Sequence, residues 1–547
     1  MSPQRARLKS ELPRRAVLSP YRRRGVEDVD VPDTAPAESA EGARGSEAGR
    51  ASGTAERTMT SKRRLQRRVI PLQVLQQPLQ ASVRKVFDLR RFLIVIGLTV
   101  GVLFLPAPEG LTPEAQRAIA LFVFTGALLA LEPAPLPIAA LMVPIGQVAL
   151  EIDTVTGAFL PFGTPVLFLI LGSLFLAEAL SKHGLTRRMA LQTIVWSRGS
   201  LPVLLFGIMA GAGLLSMWVL NTATAAVLIP VAITIAQRVQ PQEKAPQVLQ
   251  LLVLGIAYST SIGGMGTIMG SGENAIASGQ LARVSDFGFL DWLAYGLPTV
   301  LILVPLAWFL LTRVVRVTDA RIDTLPALRE IVKMGGLRGS EREIVLVLGV
   351  SILLWLTGSW IETSLGLPAT LLSSVVVAIG AVAVLSIEEI IDWNDLKGVN
   401  WGVFLVIGAG LTLGDALDKS GASAWFAGQL APFLTGMPYL LVLAILIFGG
   451  FMITQLMNNV AVGAIIAPVL ITLGQATGIP PERLVIPAVM AVALAFVLPA
   501  GSARMTLVAV TGVVPRTVMV RAGLLVGLPC AVVILLFYYG LSLIGLI

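Results

Sequence analysis

After about residue 90, the chain alternates long apolar stretches with short polar connections. A helix needs about 20 apolar residues to cross the hydrocarbon core of a bilayer, and the pattern predicts roughly eleven such spans. Two longer stretches, 201–238 and 434–475, have polar, Asn-containing centres, so we predict two re-entrant helical hairpins with tips buried in protein. The predicted spans are 92–106, 115–131, 133–150, 157–181, 245–270, 289–312, 343–361, 367–386, 400–417, 481–500 and 522–546.

The two halves of this region resemble each other in sequence. Residues 167–184 align without gaps to 404–421 with seven identities in eighteen, and Asn221 of the first hairpin falls on Asn459 of the second. Basic residues favour cytoplasmic connections, and our span assignment puts sixteen Lys and Arg on the inner side against four on the outer side. It therefore predicts a cytoplasmic N-terminus and hairpins that enter from opposite faces, an inverted repeat whose binding site lies at the midplane.

The predicted fold is an all-α polytopic membrane protein built from this inverted repeat. Each half also contains a helix that its own sequence interrupts. The amino-terminal region is rich in Arg, Ala, Gly, Ser, Pro and Glu and poor in core-forming residues, which is typical of disorder. The predicted domains are a disordered basic cytoplasmic tail (1–75), a juxtamembrane segment (76–91), a first repeat (92–330, broken helix 245–280) and a second repeat (331–547, broken helix 481–512).

Composition narrows the class of protein. Of the 547 residues, 55% are hydrophobic and 14% charged, and the mean hydropathy is +0.81, which is typical of a chain embedded in lipid. The net charge of +8 comes from the tail and the connections rather than from one clustered face, so nucleic acid is not an expected partner. A single histidine, His183, and a single cysteine, Cys530, leave no His pair or thiol framework, and we expect neither an enzyme nor a cofactor.

The hairpin centres carry the first candidate chemistry. Residues 216–226 read SMWVLNTATAA and residues 454–461 read TQLMNNVA. Amide and hydroxyl groups at membrane depth need partners. Their oxygen atoms suit a hard cation such as Na⁺, and amide donors at the start of a half-helix suit an anion. The alternative is that these side chains only hydrogen-bond between helices.

A glycine-rich stretch, 263–274, interrupts the fifth predicted span. Glycines this dense disfavour a continuous helix, so we predict an unwound segment that lines a cavity. Its counterpart in the second half is 499–505, where Gly501-Ser502 matches Gly270-Ser271. In the same alignment Arg504 takes the position of Glu273.

Three stretches resemble the divalent anion:sodium symporter family, which carries dicarboxylates, citrate and sulfate: SMWVLNTATAA at 216–226, LGIAYSTSIGGMGT at 254–267 and WGVFLVIGAGLTL at 401–413. The resemblance covers about residues 90–547. It implies a homodimer in the cell (inner) membrane, with a scaffold domain and a mobile transport domain that work by an elevator motion. It also implies that sodium is the coupling ion, that symport and exchange both remain open, and that the substrate is a small divalent anion, with a C4-dicarboxylate as the expected one.

Carried over position by position, the resemblance implies two sodium sites and one substrate site. Two hydroxyl-bearing family positions are Leu220 and Val460 here, which leaves sulfate or another oxyanion as an alternative substrate. The expected sodium ligands are Ser216, Asn221 and Gly270 in one site and Thr454, Met457, Asn459 and Gly501 in the other. The expected substrate contacts are Asn221, Thr222, Ser271, Asn458, Asn459, Ser502 and Arg504.

Arg504 is unusual because an arginine at membrane depth is costly and is generally paired or functional. One interpretation is that its guanidinium grips a substrate carboxylate and supplies positive charge in place of a sodium ion. The other is that it forms a structural ion pair with Glu273 or extends to the membrane interface. The sequence leaves both open.

Overall fold

The computed structural model describes residues 87–434 and 436–545, and in that part of the chain the fold is almost entirely helical. Two short strands, β1 (Val239–Gln240) and β2 (Arg321–Ile322), pair antiparallel. The helices of the first half are α1 (Leu89–Phe104), α2 (Pro113–Leu131), α3 (Leu136–Ala149), α4 (Val155–Phe159), α5 (Pro165–Lys182), α6 (Leu185–Trp196), α7 (Leu201–Trp218), α8 (Asn221–Ala236), α9 (Ala245–Gly264), α10 (Gly272–Leu281) and α11 (Phe289–Val314). Those of the second half are α12 (Leu325–Met334), α13 (Gly339–Leu365), α14 (Ser374–Ile387), α15 (Trp393–Lys397), α16 (Trp401–Lys419), α17 (Ala422–Leu434), α18 (Tyr439–Leu456), α19 (Asn459–Thr477), α20 (Pro481–Val492), α21 (Ala503–Val510) and α22 (Arg516–Leu543).

The predicted all-α polytopic fold is confirmed. Ten of the described helices are long and apolar enough to cross a membrane, and three shorter apolar helices accompany them. The ten include the hairpin arms α7, α18 and α19, so they are not the same set as the roughly eleven predicted spans. The predicted tail (1–75) and most of the juxtamembrane segment (76–91) lie outside the described residues.

Helix boundaries repeat between the halves. The first hairpin consists of α7 and α8, and the second consists of α18 and α19; the two hairpins begin, turn and resume at positions exactly matched by an offset of 238 residues. One helix further back from each hairpin, α5 and α16 both end at a lysine, Lys182 and Lys419. The sequence similarity therefore reflects a repeated order of elements.

Ion pairs across the two halves show how these matched elements are oriented. Lys182 of the first half binds Asp395 of the second, and Lys419 of the second half binds Asp153 of the first at 2.7 Å. These lysine hydrogen bonds hold the pKa values of both aspartates below their usual range. Asp395 lies in α15, just before α16, and Asp153 lies just before α4 and the 3₁₀ turn 160–163 that lead into α5. Since each of the two helices ends beside the segment that leads into the other, α5 and α16 run in opposite directions.

The hairpins open at opposite ends of the molecule. Ser200, before α7, pairs with Arg321, and Arg187 and Arg238 both approach Glu330, which places the open end of the first hairpin beside the end of α5. At the other end Arg283 binds Asp415, Ser285 donates to Glu482 at 2.8 Å, and Tyr439 donates to the Arg483 carbonyl at 3.0 Å. The open end of the second hairpin therefore lies beside the end of α16, and the repeat is inverted.

Candidate functional site

Two helices break at matched points in the middle of the fold. Helix α9 ends at Gly264, and a 3₁₀ turn, Ile268–Gly270, leads into α10; α20 ends at Val492, and the turn Pro499–Gly501 leads into α21. Ser271 and Ser502, which follow the two turns, share an extended backbone with φ of −151° and −161°. The break predicted from the glycine-rich stretch is present in the first half, its predicted counterpart is present in the second half, and the backbone geometry after the two turns is the same.

The hairpin tips are short and non-helical. Val219 and Leu220 separate α7 from α8, and Met457 and Asn458 separate α18 from α19. Asn221 and Asn459 are thus the first helical residues after the tips, and the free N–H groups of a helix start lie there. Such a helix start favours an anion.

The second tip contacts the broken helix of the other half. The Asn459 amide donates to Glu273 Oε1 at 2.8 Å. Glu273 also lies against Gly463, because a Cβ added to Gly463 would lie 2.7 Å from the Cβ of Glu273. Helix α8 of the first hairpin packs in turn against α21 of the second half. Each hairpin therefore meets the broken helix of the opposite repeat.

The residues expected at the first sodium site lie together. A Cβ on Gly270 would lie 2.8 Å from the Ser216 carbonyl oxygen, and a Cβ on Gly264 would lie 3.4 Å from Asn221 Nδ2 and 3.1 Å from the Gly270 carbonyl oxygen. The Ser216 hydroxyl donates to the Thr260 carbonyl at 2.7 Å. That bond joins α7 to α9, so Ser216 also has the purely structural role considered above.

The second expected sodium site is brought together in part. A Cβ on Gly501 would lie 2.6 Å from the Thr454 carbonyl oxygen, and the buried Thr454 hydroxyl has no hydrogen-bond partner among the described residues. Met457 lies three residues further on, where α18 ends. The Asn459 side chain faces Glu273 instead.

Several expected substrate residues hydrogen-bond within the tips. The Thr222 hydroxyl donates to Asn221 Oδ1 at 3.3 Å, and Asn458 Oδ1 accepts from the Val460 amide at 3.0 Å. The Ser502 hydroxyl accepts from the Met505 amide at 3.3 Å. These side chains lie at the starts of α8, α19 and α21.

A cavity of about 330 Å³ reaches the first hairpin tip from the end of the molecule where α5 terminates. Leu220 and Thr222 lie at the tip, and Glu178, Ser181 and Asn400 line the approach. The cavity therefore leaves open space beside the first tip on this side of the molecule. Of the expected substrate residues, only Thr222 lines it.

Sequence reasoning missed two amides that support the breaks. Gln455 Oε1 accepts from the Phe496 and Val497 amides at 3.1 and 3.0 Å, and its Nε2 donates to the Leu494 carbonyl at 3.1 Å. Asn274 Nδ2 donates to the Gly264 and Thr267 carbonyls at 2.8 and 2.9 Å. The available signal was their position: Gln455 lies within the hairpin motif 454–461, and Asn274 is the last residue of the glycine-rich stretch 263–274.

Three charged side chains are buried in the described part of the chain: Glu273, Glu341 and Arg504. Glu341 pairs with Arg188 at 2.9 Å. Arg504, 1% exposed, donates from Nη2 to the Ala493 carbonyl at 3.0 Å and makes no direct ion pair with Glu273. Because Arg504 is buried, its side chain does not extend to the membrane interface. The direct ion pair between Arg504 and Glu273, which was the other structural interpretation, is not formed.

Comparison with known proteins agrees with this architecture. Residues 87–546 match the family model described as the sodium:sulfate symporter transmembrane region. An uncharacterized transporter of Haemophilus influenzae is 32% identical over 433 residues, covering 77% of this chain and 91% of the relative. The sodium-dependent dicarboxylate transporter SdcS of Staphylococcus saprophyticus is 30% identical over 477 residues, covering 81% and 91%.

A solved structure shares the fold. MtrF of Neisseria gonorrhoeae, described as one of a class of antimetabolite efflux pumps, superimposes with a TM-score of 0.53 at 14% identity, covering 82% of this chain and 96% of MtrF. At that identity the likeness concerns the fold alone. The family match over almost the whole helical region is what assigns the chain: it belongs to the sodium:sulfate symporter family, the divalent anion:sodium symporters, and is a sodium-coupled anion transporter rather than an enzyme.

Proposed function

We propose that the protein carries C4-dicarboxylates across the cell (inner) membrane, coupled to sodium by symport or exchange. The observation that carries this proposal is the meeting of hairpins from opposite ends with the broken helices of the opposite repeat, through Asn459 and Glu273. Such an arrangement supplies two helix starts and two unwound segments in one place. The SdcS relatives, named as sodium-dependent dicarboxylate transporters, favour this substrate class.

In this proposal the oxygen atoms of the breaks hold sodium. One site uses Ser216, Asn221 and Gly270. The contacts of Gly270 and Gly264 with the first hairpin support this sodium site, because they bring backbone carbonyl oxygens beside the Asn221 side chain. Oxygen atoms are the usual ligands of hard cations.

The other site uses Thr454, Gly501, Met457 and Asn459. Its support is the buried Thr454 hydroxyl, which lacks a partner beside the Gly501 turn. A buried hydroxyl without a partner is costly, and a bound cation would satisfy it.

The dicarboxylate contacts the tips and the starts of the broken helices through Asn221, Thr222, Ser271, Asn458, Asn459, Ser502 and Arg504. Cations bound first offset the repulsion between a dianion and a site of low dielectric constant. Coupling then follows from the difference in anion affinity between the empty and the cation-loaded site.

Transport proceeds by an elevator motion of the hairpins and broken helices against the remaining helices, in a homodimer with a cytoplasmic N-terminus. The cavity that reaches Thr222 is then the inward-facing entrance. Its end of the molecule carries Arg187, Arg188 and Arg238, which agrees with the cytoplasmic preference of basic residues.

Replacing the tip asparagines tests the site. We expect Asn221→Ala and Asn459→Ala each to lower sodium-driven uptake of radiolabelled succinate into proteoliposomes by roughly 10- to 100-fold, because each removes a hydrogen bond to a charged partner. Asn394→Ala, an exposed asparagine, is the matched control and should transport as the wild type does. Wild-type rates in both tip variants would contradict the proposed site.

Sulfate or another oxyanion is the second candidate substrate. Leu220, an apolar residue, lies at the cavity end of the first tip, and the family description itself names sulfate. Counterflow separates the two: vesicles loaded with unlabelled succinate should accumulate labelled succinate, whereas vesicles loaded with unlabelled sulfate should not accumulate labelled sulfate. The opposite selectivity would make the oxyanion the substrate.

A further inference from the structure

We propose that Glu273 and Arg504 cancel each other's charge within the site, so that Arg504 does not replace a sodium ion and the dianion still requires its full set of mobile cations. This inference rests on the proposed function above. It differs from both interpretations of Arg504 drawn from the sequence, and it names a second residue, Glu273, as a determinant of the cation requirement.

Burial supports the pairing. Of the three buried charged side chains in the described residues, Glu341 already has Arg188 as its partner. Glu273 is 0% exposed and Arg504 1% exposed, and they carry opposite charges. An isolated charge at this depth is strongly unfavourable, so two unlike charges in one core stabilise each other.

The inverted repeat supports it too. Glu273 is the second residue of α10 and Arg504 the second residue of α21, each two positions after its serine. The two charges therefore occupy equivalent positions about the pseudo-two-fold axis, on the helices that follow the two breaks. Helix α10, which carries Glu273, packs against α20, and Arg504 donates to the Ala493 carbonyl directly after α20, so the two side chains belong to one packed region without forming a direct ion pair.

Each side chain also keeps an atom free. Glu273 Oε1 accepts from Asn459 while its Oε2 has no partner, and Arg504 Nη2 donates to Ala493 while its Nε has no partner in the described residues. The pair is therefore held apart by neighbouring groups instead of closing on itself. Glu273 thus contacts Asn459, a residue of the proposed site, and Arg504 follows Ser502, another such residue, by two positions.

The sum of the fixed charges of Glu273 and Arg504 then predicts how many cations the bound dianion requires. A site with no net fixed charge receives a dianion and needs cations to balance it. Removing the Glu273 charge leaves a net positive site that needs one cation fewer, and removing the Arg504 charge leaves a net negative site that needs more. Removing both restores neutrality.

The test compares Glu273→Gln, Arg504→Gln and the double variant in the full chain. Equilibrium binding of radiolabelled succinate in detergent, titrated with NaCl, measures the half-saturating sodium concentration and the steepness of the sodium dependence. We expect Glu273→Gln to lower that concentration roughly tenfold and to flatten the dependence, because one unit charge acts at short range. Arg504→Gln should raise it roughly tenfold, and the double variant should return to the wild-type value.

Glu482→Gln is the matched control, since Glu482 is a carboxylate hydrogen-bonded to a neutral side chain, Ser285, away from the breaks; its sodium dependence should be that of the wild type. If a single variant fails to fold, the double variant decides: wild-type sodium dependence supports the pair, and a shift of one cation overturns it. Unchanged sodium dependence in Glu273→Gln overturns the inference while the proposed function stands. Absence of sodium-dependent binding in the wild type overturns both.

Discussion

Gln455 has hydrogen bonds on both sides of its amide, and all of them go to backbone atoms. It joins the end of α18 to the unwound segment 494–497, where the peptide groups have lost their helical partners. In a membrane core these groups cannot bond to lipid. A single side chain therefore makes the second break tolerable, and Asn274 does the same for the first.

We expect Gln455→Leu to lower the Tm of the detergent-solubilised protein by several degrees. The variant leaves two amides and a carbonyl buried without partners, at about 1–3 kcal/mol for each group. Uptake should fall as well, because Thr454 is the adjacent residue. Gln242→Leu, at an exposed position, is the control, and an unchanged Tm in Gln455→Leu would contradict this role.

Between elements, the first hairpin depends on close backbone packing. Helix α7 crosses α9 at Gly213 and Gly263, where a Cβ on Gly263 would lie 2.2 Å from the Gly213 carbonyl oxygen. Small residues permit such approaches between membrane helices. This contact places the hairpin arm against the helix that breaks one residue later.

Gly263→Ala should therefore displace α7 from α9. We expect a lower yield of folded protein and a Tm lowered by more than that of Gly211→Ala, since a Cβ on Gly211 meets nothing within 4 Å. Thermal unfolding of both purified variants measures the difference. Equal Tm values would show that the crossing tolerates a methyl group.

For the whole molecule, the ion pairs sort the connections into two polar ends, and only one of these ends can face the cytoplasm. The end that holds Arg187, Arg188 and Arg238 is the more basic. The other holds Arg283, Asp415 and Glu482. The direction of both hairpins follows from this assignment.

Labelling of introduced cysteines measures which of the two polar ends faces the cytoplasm. The natural chain has one cysteine, Cys530, and it is buried, so an impermeant maleimide should report only introduced sites. We expect Asp286→Cys to be labelled in intact cells and Thr318→Cys only after permeabilisation; both positions are exposed. The reverse pattern would invert the proposed topology.

The sequence by itself determined the class of fold, the positions of both hairpins, the repeat and the breaks. It could do so because apolar length, glycine density and the matched asparagines are local signals. The departures at Leu220 and Val460 were equally visible. The sequence predicted the ends of the helices within the broken segments less exactly. A residue that has lost its helical hydrogen bond leaves no periodic pattern in the sequence that would mark the helix end.

Only the tertiary structure decided which groups meet. The contact between Asn459 and Glu273 joins residues 186 positions apart, and Arg504 turns to Ala493 rather than to Glu273. Neither could be inferred from spacing, because the inverted repeat brings each hairpin to the broken helix of the opposite half. Buried polar groups choose partners by distance and geometry after the helices have packed, and no property of the isolated sequence contains that geometry.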